Sequence, residues 1–323
     1  RPVLERGVSR TGQNHSTVWH HTTLPMGCQH IITTMAFVKP ARVWLCLVCF
    51  SAKILYMQKV SLKLNGHDWN VYLRDEADQS VFSEIFKLKE YRAADEAIKT
   101  AKDAVVDIGA HAGFFTMYCR ALNEKVKIFA VEPEPKNLEL LKKHLAENKI
   151  SGVKIIAGAL AGQSEERRLI LSADSHNHRL GEAEAVSSGS MFADYADTDK
   201  NMEKTITIQA FSLADFCRKN KIKKISLLKM DIEGGEYEVF DGMSDDDFAM
   251  VNFIILEYHN GYEARGKDAR DLSRANGQYT SQYMGIRHKD IVEKLRANGF
   301  GVQVFPSHFD KTMGFVWANN KRI

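Results

Sequence analysis

The 323-residue sequence is 44% hydrophobic and 26% charged, with a mean hydropathy of −0.30. That describes a chain able to fill a globular core and excludes a disordered or fibrous protein. The formal net charge of +3 is unevenly placed: residues 1–56 carry Arg1, Arg6, Arg10, Lys39, Arg42 and Lys53 against Glu5, a local +5 that leaves about −2 for the rest. A nearly neutral body excludes bulk nucleic-acid binding, which needs a clustered cationic surface.

Residues 1–56 hold three of the six prolines and three of the five cysteines and show no sustained helical or strand period. Their apolar run, Val43–Ala52, would span about 15 Å as a helix, half of a bilayer core, so no membrane span is expected. The segment reads as an extension that is disordered or not part of the native protein, with Met57 as the natural start. The alternative is a signal peptide from Met35, with Lys39 and Arg42 ahead of Val43–Phe50. Cys46 and Cys49 have a redox or zinc spacing but no second pair nearby. Cys119 and Cys217 are the body's cysteines, which requires no disulfide and leads to an expected cytoplasmic location.

From Met57 the pattern becomes regular. Val60–Leu64 and Trp69–Leu73 alternate around Asn65-Gly66-His67-Asp68, which predicts a hairpin. Ser80–Leu88 reads as a helix, and residues 57–103 together as a lead-in packing on a catalytic domain, 104–323. Strands are expected at Ala104–Ile108, Lys127–Val131, Val153–Ile156, Ile225–Met230 and Phe253–Leu256. Helices are expected at Phe114–Leu122, Pro135–Asn148, Ser212–Asn220, Glu236–Met243 and Asp290–Asn298, and Val302–Phe305 and Met313–Ala318 close the chain. Such alternation predicts an α/β fold, a Rossmann-like, doubly wound, mostly parallel sheet of seven strands covered on both faces. The last two strands lack a helix between them, so one strand is antiparallel. Two insertions interrupt the order. Gln163–Lys204 reads as a hairpin, Arg167–Leu171 with Thr205–Gln209, whose polar tip Asp174–Thr198 forms an acceptor lid. Asn260–Met284 covers the same mouth. His176 and His178 in that tip are read as solvated.

In such a fold the ligand sits at the carboxyl ends of the strands. The first strand runs into Asp107-Ile108-Gly109-Ala110-His111-Ala112-Gly113, a glycine loop that is not G-x-G-x-x-G. The second ends in Val131-Glu132-Pro133, with Glu132 positioned to accept from ribose hydroxyls. One acid for an amino group and one for a ribose describe S-adenosylmethionine better than a nicotinamide dinucleotide. Asp107–Gly113, Ala130–Pro133, Gly158-Ala159-Leu160 and Leu228-Lys229-Met230-Asp231-Ile232-Glu233-Gly234-Gly235-Glu236 together resemble the FkbM family of class I S-adenosylmethionine-dependent methyltransferases, from about Val60 to Phe305. Where that family often has Asn, this chain has His111. The resemblance implies O-methylation of a sugar, glycan or natural-product hydroxyl. It implies that Asp107, Gly109, Ala110, His111 and Gly113 line the methionine and ribose side, Glu132 holds the ribose and Asn137 caps that edge. Ala159 and Leu160 then flank the adenine, and Tyr91 closes over the methionine end.

A hydroxyl acceptor needs its proton removed or its oxygen held by a metal. Asp231, after the fourth strand, stands where either could be done, and alternation puts Glu257 and His259 on one face of the fifth. These three are the expected catalytic residues, with His259 as general base. With Asp231 they could also make a carboxylate–imidazole metal site, although no metal is predicted. Acids at Glu233 and Glu236 are equally explained by the start of a helix. Expected partners are a small-molecule or glycan acceptor, with no nucleic acid and no stable membrane span. A nicotinamide oxidoreductase, or an inactive cofactor-binding module on the same scaffold, is the competing reading. An amino-group methyltransferase would carry an Asp/Asn-Pro-Pro-Tyr string in place of Asp231-Ile232-Glu233-Gly234. A cytosine methyltransferase would need an activated cysteine.

Overall fold

The computed structural model describes residues 57–171, 178–180, 204–259, 288–307 and 313–322. The extension 1–56, most of the expected lid and the insertion 260–284 lie outside the described residues, as does His176.

The chain opens with β1 (Gln58–Leu64) and β2 (His67–Leu73), paired antiparallel. Asn65 and Gly66 join them at φ +47° and +82°. Positive φ at both central residues is the turn whose twist matches a hairpin, and Asn-Gly is the pair that tolerates it. One edge of β2 is capped by side chains. The Asn70 N–H donates to Asn148 Oδ1 at 2.7 Å, and the Tyr72 N–H to His144 Nε2 at 2.8 Å. The fully buried His144 ring donates from Nδ1 to the Ala112 carbonyl (2.7 Å). Burial pulls its pKa down, as this neutral relay requires.

After the hairpin come α1 (Glu76–Phe82), capped by Asp75, a π-helical stretch at Ser83–Leu88, a 3₁₀ turn at Glu90–Ala94 and α2 (Asp95–Thr100). The expected single helix at Ser80–Leu88 is thus divided after Phe82, where α-helical turns give way to π-helical ones, and Lys89, at a left-handed φ of +57°, ends it.

The main sheet has seven strands. In chain order they are β3 (Ala104–Ile108), β4 (Ile128–Glu132), β5 (Val153–Ala157), β10 (Ile225–Met230), β11 (Val251–His259), β12 (Phe300–Pro306) and β13 (Met313–Asn320), and in space they run β12-β13-β11-β10-β3-β4-β5. Five strands run parallel from β11 to β5, and β13 is antiparallel to both neighbours. The seven-stranded, mostly parallel α/β sheet with one antiparallel strand is the expected fold. A second sheet, β6-β9-β7-β8, is built from β6 (Ala159–Leu160), β7 (Glu165–Leu171), β8 (Arg179–Leu180) and β9 (Lys204–Phe211), with β7 and β9 antiparallel as anticipated.

Helices cover both faces of the main sheet, which is why β3 and β10 are buried along their whole length. On one face Val106, Ile108, Leu228, Met230 and Ile254 pack against α5 (Leu213–Asn220), α6 (Glu236–Gly242), α7 (Asp245–Ala249) and α8 (His288–Ala297). On the other, Val105, Leu227 and Ile255 meet the hairpin, α2 and α3 (Phe114–Leu122), with Leu140 of α4 (Pro135–Glu147). The second face also carries the residues alternating with these: Asp107, Lys229, Asp231 and Glu257.

The small sheet is fastened by Arg167, whose side chain is 2% exposed and lies 3.0 Å from Glu165 and 2.8 Å from Glu238 of α6. Removing one partner of a buried ion pair leaves the others uncompensated. Arg167→Ala should therefore lower unfolding stability by roughly 2–4 kcal/mol, read as a fall in the urea midpoint at unchanged slope.

Candidate active site

The carboxyl ends of β3, β4, β10 and β11 open onto one cleft of about 390 Å³. Of the thirteen residues expected from sequence, eleven line it: Tyr91, Gly109, Ala110, His111, Glu132, Asn137, Ala159, Leu160, Asp231, Glu257 and His259. Asp107 and Gly113 stand behind the wall. Gly113 begins α3 at φ +85°, where a Cβ would lie 2.2 Å from Leu141 Cδ1. Asp107 is fully buried, accepts from Thr116 Oγ1 at 2.7 Å and faces Lys229.

Lys229 organises the floor. It stands opposite Asp107 in the ladder between β10 and β3. Its Nζ donates to the carbonyls of Gly109 (2.9 Å) and Ile108 (3.3 Å). The same ammonium is 3.5 Å from Asp107 Oδ1 and 3.6 Å from Asp231 Oδ2. Burial pulls Lys229 down, but Asp231, Asp107 and Glu257 together hold it above its usual pKa. Burial likewise raises Asp107, against the pull of Lys229. Tyr91 closes the floor, 3% exposed between Phe115 and Phe315, and its hydroxyl donates to Asp231 Oδ2 at 3.2 Å. Gly109 cannot be replaced here: at φ +70° a Cβ would sit 1.9 Å from the Asp231 carbonyl oxygen.

At one end of the cleft Glu132 is 4% exposed. Its Oε2 accepts from the His111 N–H (2.8 Å), and its Oε1 from the Glu134 N–H (2.9 Å) and Asn137 Nδ2 (3.2 Å). His111 points its N–H there because its backbone is left-handed, φ +50°. Burial outweighs these three donors and pushes the Glu132 carboxyl up to about 7. Behind it, Arg74 ties the lead-in to the loop: it donates to both Asp78 oxygens (2.8 Å each) and to Asn137 Oδ1 (2.7 Å). His111 Nε2 is 3.2 Å from the same fully buried Asp78. Burial opposes the Asp78 charge, yet Arg74 and His111 hold its pKa below the usual carboxylate value.

At the other end Asp231, Glu257 and His259 converge, each offering one ligand-type atom, all within 4.8 Å of one another. Glu233, at φ +56°, brings Oε2 to 3.6 Å from His259 Nε2. Glu236 is fully buried behind the ring: Oε1 accepts from the Ile232 N–H at 2.8 Å and lies 3.9 Å from His259 Nδ1. Burial, then Asp231 and neighbouring glutamates, push Glu257 well above the usual carboxylate range.

Sequence reasoning missed Lys229, Arg74, Asp78 and Thr116. Lys229 carries a legible signal, a lysine inside an otherwise apolar strand, Ile-Ser-Leu-Leu-Lys-Met. Arg74 and Asp78 stand at an i,i+4 ion-pair spacing, but nothing local shows that Arg74 also reaches His111 and Asn137, 37 and 63 residues away.

Among the described residues no helix is long and apolar enough to cross a membrane. The model of the methyltransferase FkbM domain matches residues 107–302. The chain is 27% identical over 194 residues to methyltransferase sdnD of Sordaria araneosa, covering 55% of this chain and 74% of that protein. It is 24% identical over 179 residues to 31-O-demethyl-FK506 methyltransferase FkbM of Streptomyces tacrolimicus, covering 51% and 68%. With hexuronic acid methyltransferase AglP of Haloferax volcanii it shares 26% over 194 residues, covering 58% and 71%. A solved methyltransferase FkbM from Methylobacillus flagellatus KT shares 12% identity at a TM-score of 0.40, covering 76% of this chain and 55% of that one.

The Glu132 environment makes a prediction with a definite sign. Its folded pKa of about 7 lies above its ordinary 4.5, so the folded state holds the extra proton and stability falls as pH rises from 4.5 to 7. Glu132→Gln removes that component. The stability difference between wild type and variant should narrow by on the order of 3 kcal/mol between pH 4.5 and 8, measured by urea unfolding at both pH values. An unchanged difference would show that Glu132 does not titrate there.

Proposed function

The chain belongs to the FkbM methyltransferase-domain family, and from that premise we propose that it transfers a methyl group from S-adenosylmethionine to a hydroxyl of a small-molecule, sugar or glycan acceptor. The observation that carries the reading is the shared cleft. A buried carboxylate suited to a ribose and a carboxylate–imidazole group suited to a hydroxyl face one cavity of about 390 Å³, within the range of small-ligand sites. Of the relatives named above, the 31-O-demethyl-FK506 methyltransferase supports an oxygen acceptor and the hexuronic acid methyltransferase a sugar. The acidic cleft and nearly neutral body favour such an acceptor over a nucleic acid. The buried thiols Cys119 and Cys217 suit a cytoplasmic setting.

The fit to the cofactor rests on two features. The glycine loop leaves no side chain at Gly109, and Glu132 stands at the wall with lone pairs beyond those its three donors occupy. When bound, S-adenosylmethionine supplies an electrophilic methyl on a sulfonium. Glu132 and Asn137 would hold the ribose, Ala159 and Leu160 the adenine, and the loop Gly109–His111 with Tyr91 the methionine end. Lys229 keeps Asp231 in place. Asp231, Glu257 and His259 hold the acceptor hydroxyl and take up its proton, the remaining requirement of an in-line displacement governed by positioning.

The first test is calorimetric titration of S-adenosylhomocysteine into the full chain, with micromolar affinity expected. Glu132→Ala should weaken that binding at least tenfold through loss of charged hydrogen bonds. Asp231→Asn and His259→Ala should keep it within about twofold while cutting turnover of an identified acceptor by two to four orders of magnitude. A folded protein that ignores the ligand would overturn the cofactor assignment.

A further inference from the structure

We infer that Asp231, Glu257 and His259 form a binding site for one divalent cation of the Mn²⁺ or Mg²⁺ type. This rests on the functional reading above and deepens it, since the ion would be the device that holds the acceptor oxygen.

The first observation is the ligand set. Asp231 follows β10, and Glu257 and His259 close the neighbouring parallel β11, so two adjacent strand ends aim three ligand-type atoms at one point. Oxygen and nitrogen ligands bind such ions at about 2.0–2.2 Å. A shared ion would therefore draw atoms now within 4.8 Å to about 3 Å apart, a shift side-chain rotation supplies. The β11 backbone holds Glu257 and His259, and Asp231 is the first residue beyond β10, its N–H donating to the Ile108 carbonyl at 3.3 Å, which suits a preformed site.

The second observation is independent of the cluster and lies behind it. Glu236 is fully buried, its Oε2 has no hydrogen-bond partner, and its Oε1 stands 3.9 Å from His259 Nδ1. Burying a carboxylate with an unsatisfied oxygen is costly. A carboxylate behind the ring is what a metal-bound histidine requires: one nitrogen takes the ion, while the other donates to an acceptor that fixes the tautomer.

The third observation is charge. Lys229 is shared between Asp107 and Asp231, whereas Glu257 makes no hydrogen bond or ion pair with any described residue and faces Asp231. Two carboxylates and an imidazole meeting in a cleft are oxygen-rich ligands of the kind that hard and borderline divalent ions select. Each carboxylate gives the ion one oxygen and keeps another, on which the acceptor proton can be received. The cation would hold the acceptor oxygen and lower the hydroxyl's own pKa, and proton uptake would pass from His259, whose ring nitrogen the ion would occupy, to those free carboxylate oxygens.

The experiment is calorimetric and paramagnetic-resonance titration of Mn²⁺ into chelator-stripped full-length protein, with no acceptor present. One saturable site of micromolar affinity is expected, competed by Mg²⁺. Glu257→Gln and His259→Gln should each weaken it at least tenfold. Glu236→Gln, which cannot touch the ion, should weaken it about tenfold through the ring, an effect that a purely structural role would not produce. S-adenosylhomocysteine titration on the same samples separates the two readings. Cofactor binding without Mn²⁺ uptake overturns the metal site and leaves the methyltransferase assignment standing, and Mn²⁺ uptake without cofactor binding does the reverse. If Glu257→Gln fails to fold by circular dichroism, His259→Gln decides. Wild-type Mn²⁺ affinity in the folded variants overturns the site.

Discussion

A lysine inside a fully buried strand is tolerated when its charge is met by groups it cannot lose, and the carboxyl end of this sheet is arranged around that requirement. Lys229 is 3% exposed, and its ammonium faces two carboxylates and two backbone carbonyls supplied by β3 with its following loop and by Asp231 just beyond its own strand. The ladder register places it opposite Asp107, so sheet pairing and charge pairing are one constraint. Bonding from Lys229 to the Gly109 carbonyl draws the loop down onto β10. The Gly109 Cα then presses against the Asp231 carbonyl, and no residue with a Cβ can occupy the turn. The glycine of the loop, the buried aspartate and the aspartate after β10 are therefore consequences of one another.

Strand alternation turns this local arrangement into a site. Residues 228 and 230 of β10 and 254 and 256 of β11 enter the core beneath α6, α7 and α8. Residues 229, 231, 257 and 259 take the opposite face, which β3 joins through Asp107. The apolar face buries enough surface to anchor the strands, at about 25 cal/mol per Å², so the polar face can hold groups that repel one another. The lead-in is equally necessary. Arg74, just after β2, and Asp78 of α1 reach across to Asn137 and His111, and Tyr91 covers Asp231.

Much of this was legible in the sequence, for physical reasons that differ by element. Asn65-Gly66 announced its turn because few other residue pairs adopt two positive φ angles. The runs Ala104–Ile108 and Ile225–Met230 could be bounded to the residue, since a strand buried on both faces is a mostly apolar stretch, interrupted here by Asp107, Ser226 and Lys229. Glu257 and His259 came together as alternation requires. Other features depend on contacts that no local pattern carries. The passage from α- to π-helical turns within Ser80–Leu88 has no mark in the apolar pattern, and the stop at Lys89 follows from a left-handed backbone at a residue type with no such preference. Asp107 was expected to face the ligand, and its position behind the wall follows from Lys229 and Thr116 claiming its oxygens. The network from Arg74 to Asn137 spans 63 residues, beyond the reach of spacing.

The two ends of the cleft answer different physical demands. Around Glu132 the polar groups are interlocked: His111, Glu134 and Asn137 all donate to it, and Arg74 and Asp78 brace the donors. A satisfied network in a low-dielectric wall is rigid, which suits recognition of a fixed shape that must bind the same way in every turnover. Around Glu257 the balance is reversed. Acids from two segments, Asp231 and Glu233 of the loop after β10 and Glu257 of β11, crowd one imidazole, and partial burial limits their screening by water. Such a region gains by accepting positive charge, whether a proton leaving a hydroxyl or an ion that makes the proton leave. Rigidity at one end and unbalanced charge at the other are complementary: the first fixes where a reacting group lies, and the second lowers the energy of the charge that develops beside it.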